Sequence, residues 1–193
     1  MSRIYCVMGK SASGKDTIYR KLLENKSLGL EKIISYTTRP IRAGEVDGVE
    51  YHFTDEKGFN NLDKAGKVIE TRVYDTVYGP WRYFTVDEGI EKDKDYLIIG
   101  TLEQFVALRD YFGSKRVSPI YIDLDDGERL QRALNRERKQ PEPKYNEMCR
   151  RFLADSEDFS EDKLEKEKIK NRFENTDFDN CVRSIASFIQ SGR

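Results

Sequence analysis

The chain has too few histidines and cysteines to build a zinc-type metal cage. Among 193 residues there are 1 histidine, His52, and 3 cysteines, Cys6, Cys149 and Cys181. The cysteines are far apart and odd in number, with no C-x-x-C spacing, so neither a zinc-type ligand set nor a disulfide framework is expected. Free thiols in a reducing, cytoplasmic setting are the expectation. No apolar run approaches the roughly 18 residues that mark a membrane-spanning helix. The opening stretch "MSRIYCVMG" enters a strand pattern without the apolar core of a secretory signal. An excess of one charge is also missing: 34 basic residues face 35 acidic ones, for a net charge of −1. That balance gives no global pull toward nucleic acid or an anionic membrane surface, and neither is expected as a partner. Patch arguments give no handle on assembly, and monomer and homodimer both stay open. No internal repeat is present.

Enough apolar sequence remains for a core, with 37% hydrophobic against 36% charged residues. A single domain over 1–193 is expected. "RIYCVMG", "KIISYTT", "DYLIIG" and "VSPIYIDL" read as buried strands, and "KIKNRFENT" as a last one. Helical spacing follows at 15–24, in "TLEQFVALRDYF", at 126–138 and 145–168, and in "FDNCVRSIASFIQ". Alternating strands and helices predict an α/β fold with a mostly parallel sheet between helix layers. Between 39 and 89 the texture changes. Glycines punctuate short segments such as "VEYHFT" and "KVIETRVYD", which predicts a small β-rich lobe inserted into a core of 1–38 and 90–193.

The chemistry begins in "GKSASGKDT". Gly9, Gly14 and Lys15 stand where a phosphate-binding loop G-x-x-x-x-G-K-[ST] places them, between a strand and a helix. Glycine lets the backbone of Gly9, Lys10, Ser11, Ala12, Ser13 and Gly14 curl so that its N–H groups face phosphate oxygens. The helix N-terminus adds positive potential, and Lys15 reaches toward the β- and γ-phosphates. Asp16 occupies the position that usually carries a Mg²⁺-binding hydroxyl. It reads equally as a Mg²⁺ ligand and as a plain helix N-terminal charge, while Thr17 offers the nearest hydroxyl.

A second stretch, "SYTTRPIRAGEVDGVEYHF", supplies two guanidinium forks, Arg39 and Arg42, and the phenol of Tyr51. These are donors suited to a second phosphate. Here the sequence resembles the guanylate kinase family, whose acceptor-binding pattern S-x-T-T-R-x-x-R-x-G-E-x-x-G-x-x-Y-x-F it matches at every fixed element. The resemblance implies a P-loop three-layer α/β/α fold and ATP-dependent phosphorylation of GMP or dGMP in purine nucleotide metabolism. It implies that Ser35, Arg39, Arg42, Tyr51 and Tyr78-Gly79 bind the acceptor's phosphate and that Glu70 reads guanine, with Mg²⁺ accompanying ATP. It also implies a helical lid over about 132–151, with Arg136 and Arg151 catalytic and Arg132 and Asn175 on the ATP side. Three departures stand out: Asp16 itself, Pro80 where the family has Ser or Thr beside the base, and "IIGT" where the central strand usually ends in an acidic pair. They keep two alternatives open. One is a P-loop kinase of another small phosphate acceptor, such as a different nucleoside monophosphate or ribose 1,5-bisphosphate. The other is a non-catalytic guanylate-kinase-like protein-binding module.

Overall fold

The computed structural model describes residues 2–42, 44–76 and 79–192. Its main sheet has strand order β2-β7-β1-β8-β9, formed by β1 Ile4–Met8, β2 Leu30–Lys32, β7 Asp95–Ile99, β8 Val117–Asp123 and β9 Arg172–Glu174. Every pairing in it is parallel. Parallel strands need covered faces, and the alternation along β1 supplies both. Ile4, Cys6 and Met8 face a cluster with Leu102, Phe105 and Leu108 of α3 Leu102–Phe112. Tyr5 and Val7 face the opposite way, onto Ile18 and Leu22 of α1 Lys15–Glu24 and onto Cys181, Ile185 and Ile189 of α7 Phe178–Ser191.

A second sheet, β4-β3-β6-β5, is built from β3 Tyr36–Thr37, β4 His52–Phe53, β5 Val68–Thr76 and β6 Gly79–Val86. One of its faces packs on α2 Glu56–Lys64, where Phe59 meets Phe84 edge-on at 5.0 Å beside Val86, Val68 and Leu62. Its other face follows from the register. Glu70 lies opposite Thr85, Arg72 opposite Tyr83, Tyr74 opposite Trp81, and Thr37 opposite both Tyr83 and Phe53. Those side chains line the surface on which the acceptor motif converges.

Three local outcomes differ from the sequence patterns. "KIISYTT" is divided between the sheets: Leu30–Lys32 joins the main sheet, Tyr36–Thr37 the second, and Ser35 sits at the crossing. The predicted helix over 145–168 is two, α5 Tyr145–Asp158 and α6 Glu161–Lys166. The break lets Phe159 bury its ring 5.6 Å from Tyr121. Helix α2 lies inside the lobe expected to be strand-rich. Its sequence "EKGFNNLDK" carries Gly58 and two asparagines, poor helix formers. It forms because Asp55 caps it by accepting from the Gly58 N–H at 2.7 Å and because Phe59 is buried.

Candidate nucleotide-binding site

The loop after β1 is held from behind by tight backbone packing. A Cβ on Gly9 would come within 2.6 Å of the Ile122 carbonyl oxygen, and one on Gly14 would strike the Asn175 amide. Gly14 has φ +91° and caps α1 in the left-handed region, its carbonyl accepting from the Thr17 and Ile18 amides, while the Lys15 and Asp16 amides begin the helix without an i−4 acceptor. Ala12 also sits in that region, at φ +63°, a conformation that costs a non-glycine residue about 1–2 kcal/mol. Lys15 leans along the loop, 3.7 Å from the Asp16 carboxylate, which is itself 77% exposed. Lys10 pairs with Asp126 at 3.3 Å, and the buried Ser13 hydroxyl has no partner among the described residues.

Asn175 is buried, and its side-chain amide donates to the Ser13 carbonyl at 2.7 Å, so it props the loop from beneath. Arg132 donates to the Asn175 carbonyl. Arg136 and Arg151 line a pocket of about 170 Å³ with Ser11, Met148 and Phe152, and Arg151 reaches the Ser11 hydroxyl at 3.5 Å. Two further groups matter here that sequence reasoning did not single out. Arg129, 1% exposed, donates from Nε to the Ser11 carbonyl, pairs with Asp126, and lies over the Phe152 ring. Asp155 of α5 accepts from the Ser11 backbone N–H at 2.7 Å. The signal for Arg129 was its helical spacing to buried Ala133 on α4 Asp126–Glu137.

On the second sheet, Arg39 is 3% exposed and fully organised. Its two terminal nitrogens donate to the Glu45 carboxylate at 2.9 and 2.8 Å, and its Nε donates to the Tyr83 hydroxyl. Hydrogen bonding to Arg39 holds the Glu45 carboxyl below its ordinary range. The Arg39 guanidinium also stands 5.6 Å from the centre of the Tyr51 ring, and burial pushes the Tyr51 phenol up. Arg42 is exposed, and its backbone N–H donates to Glu45. Thr37 and Thr38, part of the matched motif, bridge the strands by bonding the Arg82 carbonyl and N–H. Gly79, at φ +99°, begins β6, whereas Tyr78 lies outside the described residues.

Glu70 is deep in the same face. Its Oε1 accepts from the Thr85 hydroxyl at 2.7 Å, and Thr85 accepts from the Gln104 amide at 2.8 Å. The same amide donates to Ser35 Oγ at 3.2 Å. Gln104 therefore ties the acceptor lobe to the start of α3, beside the carboxyl ends of β1 and β7, where Gly100 N–H bonds the Val7 carbonyl. Its carboxamide fills the space that any side chain at position 100 would need: a Cβ on Gly100 would strike Gln104 Oε1 and approach its Cδ to 2.9 Å. In this chain a buried amide thus stands where the family pattern ends its strand in acids.

A glycine loop at the turn from the carboxyl end of a buried parallel strand into a helix is the arrangement of a P-loop nucleotide-binding fold. The sequence model of the family described as Guanylate kinase matches residues 1–192. The guanylate kinase of Wolbachia pipientis wMel is 30% identical over 188 residues, covering 95% of this chain and 87% of that protein. That of Nitrosomonas europaea is 28% identical over 198 residues, covering 100% and 91%. A higher identity, 41% with the guanylate kinase of Chromohalobacter salexigens, is confined to 80 residues, 37% of that protein. A crystal structure of guanylate kinase from Anaplasma phagocytophilum superposes with TM-score 0.66 at 22% identity, covering 98% of this chain and 85% of that one, a likeness of fold. The chain belongs to the guanylate kinase family, which is a family of nucleoside monophosphate kinases.

Proposed function

We propose that the protein transfers the γ-phosphoryl group of ATP to the phosphate of GMP or dGMP, giving ADP and the diphosphate. The observation that supports this is the second sheet, where Arg39 stands over Tyr51 and Glu70 is linked through Thr85 and Gln104 to the start of α3, beside the end of β1 that leads into the loop. ATP occupies the loop, with Lys15 and the loop amides other than those of Ser11 and Ser13, which bond Asp155 and the Lys10 carbonyl, on its phosphates, and Arg132, Arg136 and Arg151 approaching from α4 and α5. The acceptor's phosphate meets Arg39, Arg42, Ser35 and Tyr51, while Glu70 accepts from the base. The acceptor is already an anion, so no general base is required. Lys15 and the arginines hold two negatively charged groups in line and neutralise charge on the equatorial oxygens. We assign the acceptor lobe to about 39–89 and a closing lid to about 132–151. Their approach over the nucleotides would exclude water before transfer.

Asp16 is the carboxylate of this loop that could serve Mg²⁺. Among the described residues no cluster of three His, Cys, Asp or Glu side chains could cage a metal. Mg²⁺ is commonly held by one carboxylate with substrate phosphates and water, and Asp16 is exposed at the head of α1 to serve as that carboxylate. When bound with ATP, the ion supplies charge neutralisation at the β- and γ-phosphates. Among the described residues no helix is long and apolar enough to cross a membrane.

The test is ADP release with ATP–Mg²⁺ against GMP, dGMP, AMP, UMP and ribose 1,5-bisphosphate. GMP and dGMP should be used at least tenfold more efficiently than the others. Preference for another acceptor would move the assignment within the kinases, and release with none would favour a binding module.

A further inference from the structure

Arg72 is a charged group that the phosphate chemistry does not use. It stands two residues beyond Glu70 on the same face of β5 and grips it with two bonds, Nε to Oε2 at 3.0 Å and Nη2 to Oε1 at 3.3 Å. Both side chains are withdrawn from water, at 15% and 8% exposure. Burial alone would lower the arginine's pKa, but the charge and hydrogen bonds of Glu70 outweigh it and raise it. A buried ion pair is poor evidence of a stabilising role, because desolvation offsets most of its attraction. What such a pair offers is a donor and an acceptor side by side.

An ionised carboxylate has about four acceptor sites. On Glu70 the Thr85 hydroxyl and Arg72 Nη2 take two at Oε1, and Arg72 Nε takes one at Oε2. A guanine edge brings two adjacent donors, N1–H and the 2-amino group, with the 6-oxo acceptor next to them. Seating both donors on Glu70 requires one existing bond to yield. Glu70 is pinned on its other side by Thr85, 0% exposed, and Gln104, 1% exposed. The longer bond, Arg72 Nη2 to Oε1 at 3.3 Å, is the weaker of the two arginine bonds, and yielding it would release an N–H beside Glu70 for the 6-oxo oxygen. Arginine is well matched to guanine O6. The hydroxyl that the family pattern places beside the base is missing, because Pro80 stands there, exposed, in the hairpin pair with Asp75.

We propose that Arg72 is a specificity-determining residue that donates to the 6-oxo group of the acceptor purine, while Glu70 accepts from N1–H and the 2-amino group. This rests on the GMP kinase assignment above.

Steady-state kinetics of the wild type, Arg72→Ala and Arg72→Gln with GMP, IMP and 6-thio-GMP test it. IMP lacks only the 2-amino group, and 6-thio-GMP replaces the 6-oxo oxygen with sulfur, a weak acceptor. The wild type should prefer GMP over 6-thio-GMP by about tenfold or more. Both variants should lose about 10- to 100-fold in kcat/KM with GMP and IMP alike, mainly through KM, and the preference for GMP over 6-thio-GMP should collapse toward one. The GMP to IMP ratio should keep its wild-type value. A 6-thio-GMP preference that survives in the variants overturns the proposal. So does a shift confined to the GMP to IMP ratio, which would make Arg72 only a support for Glu70. If neither variant folds, the wild type decides, since equal use of GMP and 6-thio-GMP overturns the contact. A wild type without GMP turnover removes the kinase assignment and this proposal together, whereas each of the other failures leaves the assignment standing.

Discussion

At the scale of single residues, the proposed acceptor site turns on Arg39. It is buried, doubly bonded to Glu45, and bonded again to Tyr83, so its fork is fixed before any phosphate arrives. Arg39→Lys keeps the charge and loses the fork, and kcat/KM for GMP should fall by about 10- to 100-fold while the fold persists by circular dichroism. Wild-type kinetics in that variant would remove Arg39 from the site. The partner carboxylate carries a pH signature. Hydrogen bonding to Arg39 lowers the Glu45 pKa in the folded state. A lowered folded pKa means the stabilisation is present above the unfolded value, about 4.3, and is lost as pH falls through the folded one. Melting temperatures of the wild type and Glu45→Gln should therefore differ at pH 7 and converge only as pH falls through the lowered folded value. A gap independent of pH would contradict the pairing. Arg39, Arg42, Tyr51 and Glu70 could be named as candidates because a motif fixes their spacing, and the structure brings Arg39 to Tyr51 and leaves Arg42 exposed. Gln104, Thr85 and Arg129 were not, because each acts through a partner 15 to 118 positions away that no short pattern records, whereas Arg72 sits two residues from Glu70 on one strand face and was passed over because the family motif gives that position no role.

At the scale of elements, the loop between β1 and α1 shows why pattern succeeded in one place and failed in others. Its glycine spacing dictates curvature locally, and α1 runs over the residues that periodicity predicts, Lys15–Glu24. Ala12 at φ +63° is the strained exception. Ala12→Gly should raise stability by up to about 1 kcal/mol, the strain relieved less the entropy that glycine adds to the unfolded chain. Chemical denaturation measures it, and a destabilised variant would contradict the left-handed geometry. Helix α2 and the break at Phe159 were illegible for the opposite reason. Tertiary burial of Phe59 and Phe159 overrides weak local preference. Phe59→Ala should cost about 3–5 kcal/mol and loosen the acceptor lobe, raising KM for GMP more than KM for ATP.

At the scale of the molecule, alternating strands and helices were enough to anticipate the parallel sheet and its two covered faces. They could not anticipate that one short segment, 30–37, would serve two sheets. That division is what brings Ser35 to Gln104 and links the second sheet to the start of α3. The packing makes a chemical forecast as well. Burial raises the Cys6 thiol to about 12 and the Cys181 thiol to about 11, while Cys149 is exposed on α5. A disulfide reagent should titrate one thiol in the native protein and three after denaturation, and more than one fast native thiol would contradict the two buried faces. The measurement closest to the central claim follows the phosphoryl group itself. With γ-labelled ATP, Mg²⁺ and GMP, label should pass from ATP into GDP in the wild type, and transfer should fall by at least about two orders of magnitude in Lys15→Met. Label released only as inorganic phosphate, or transfer that ignores Lys15, would contradict a two-phosphate site built on this loop.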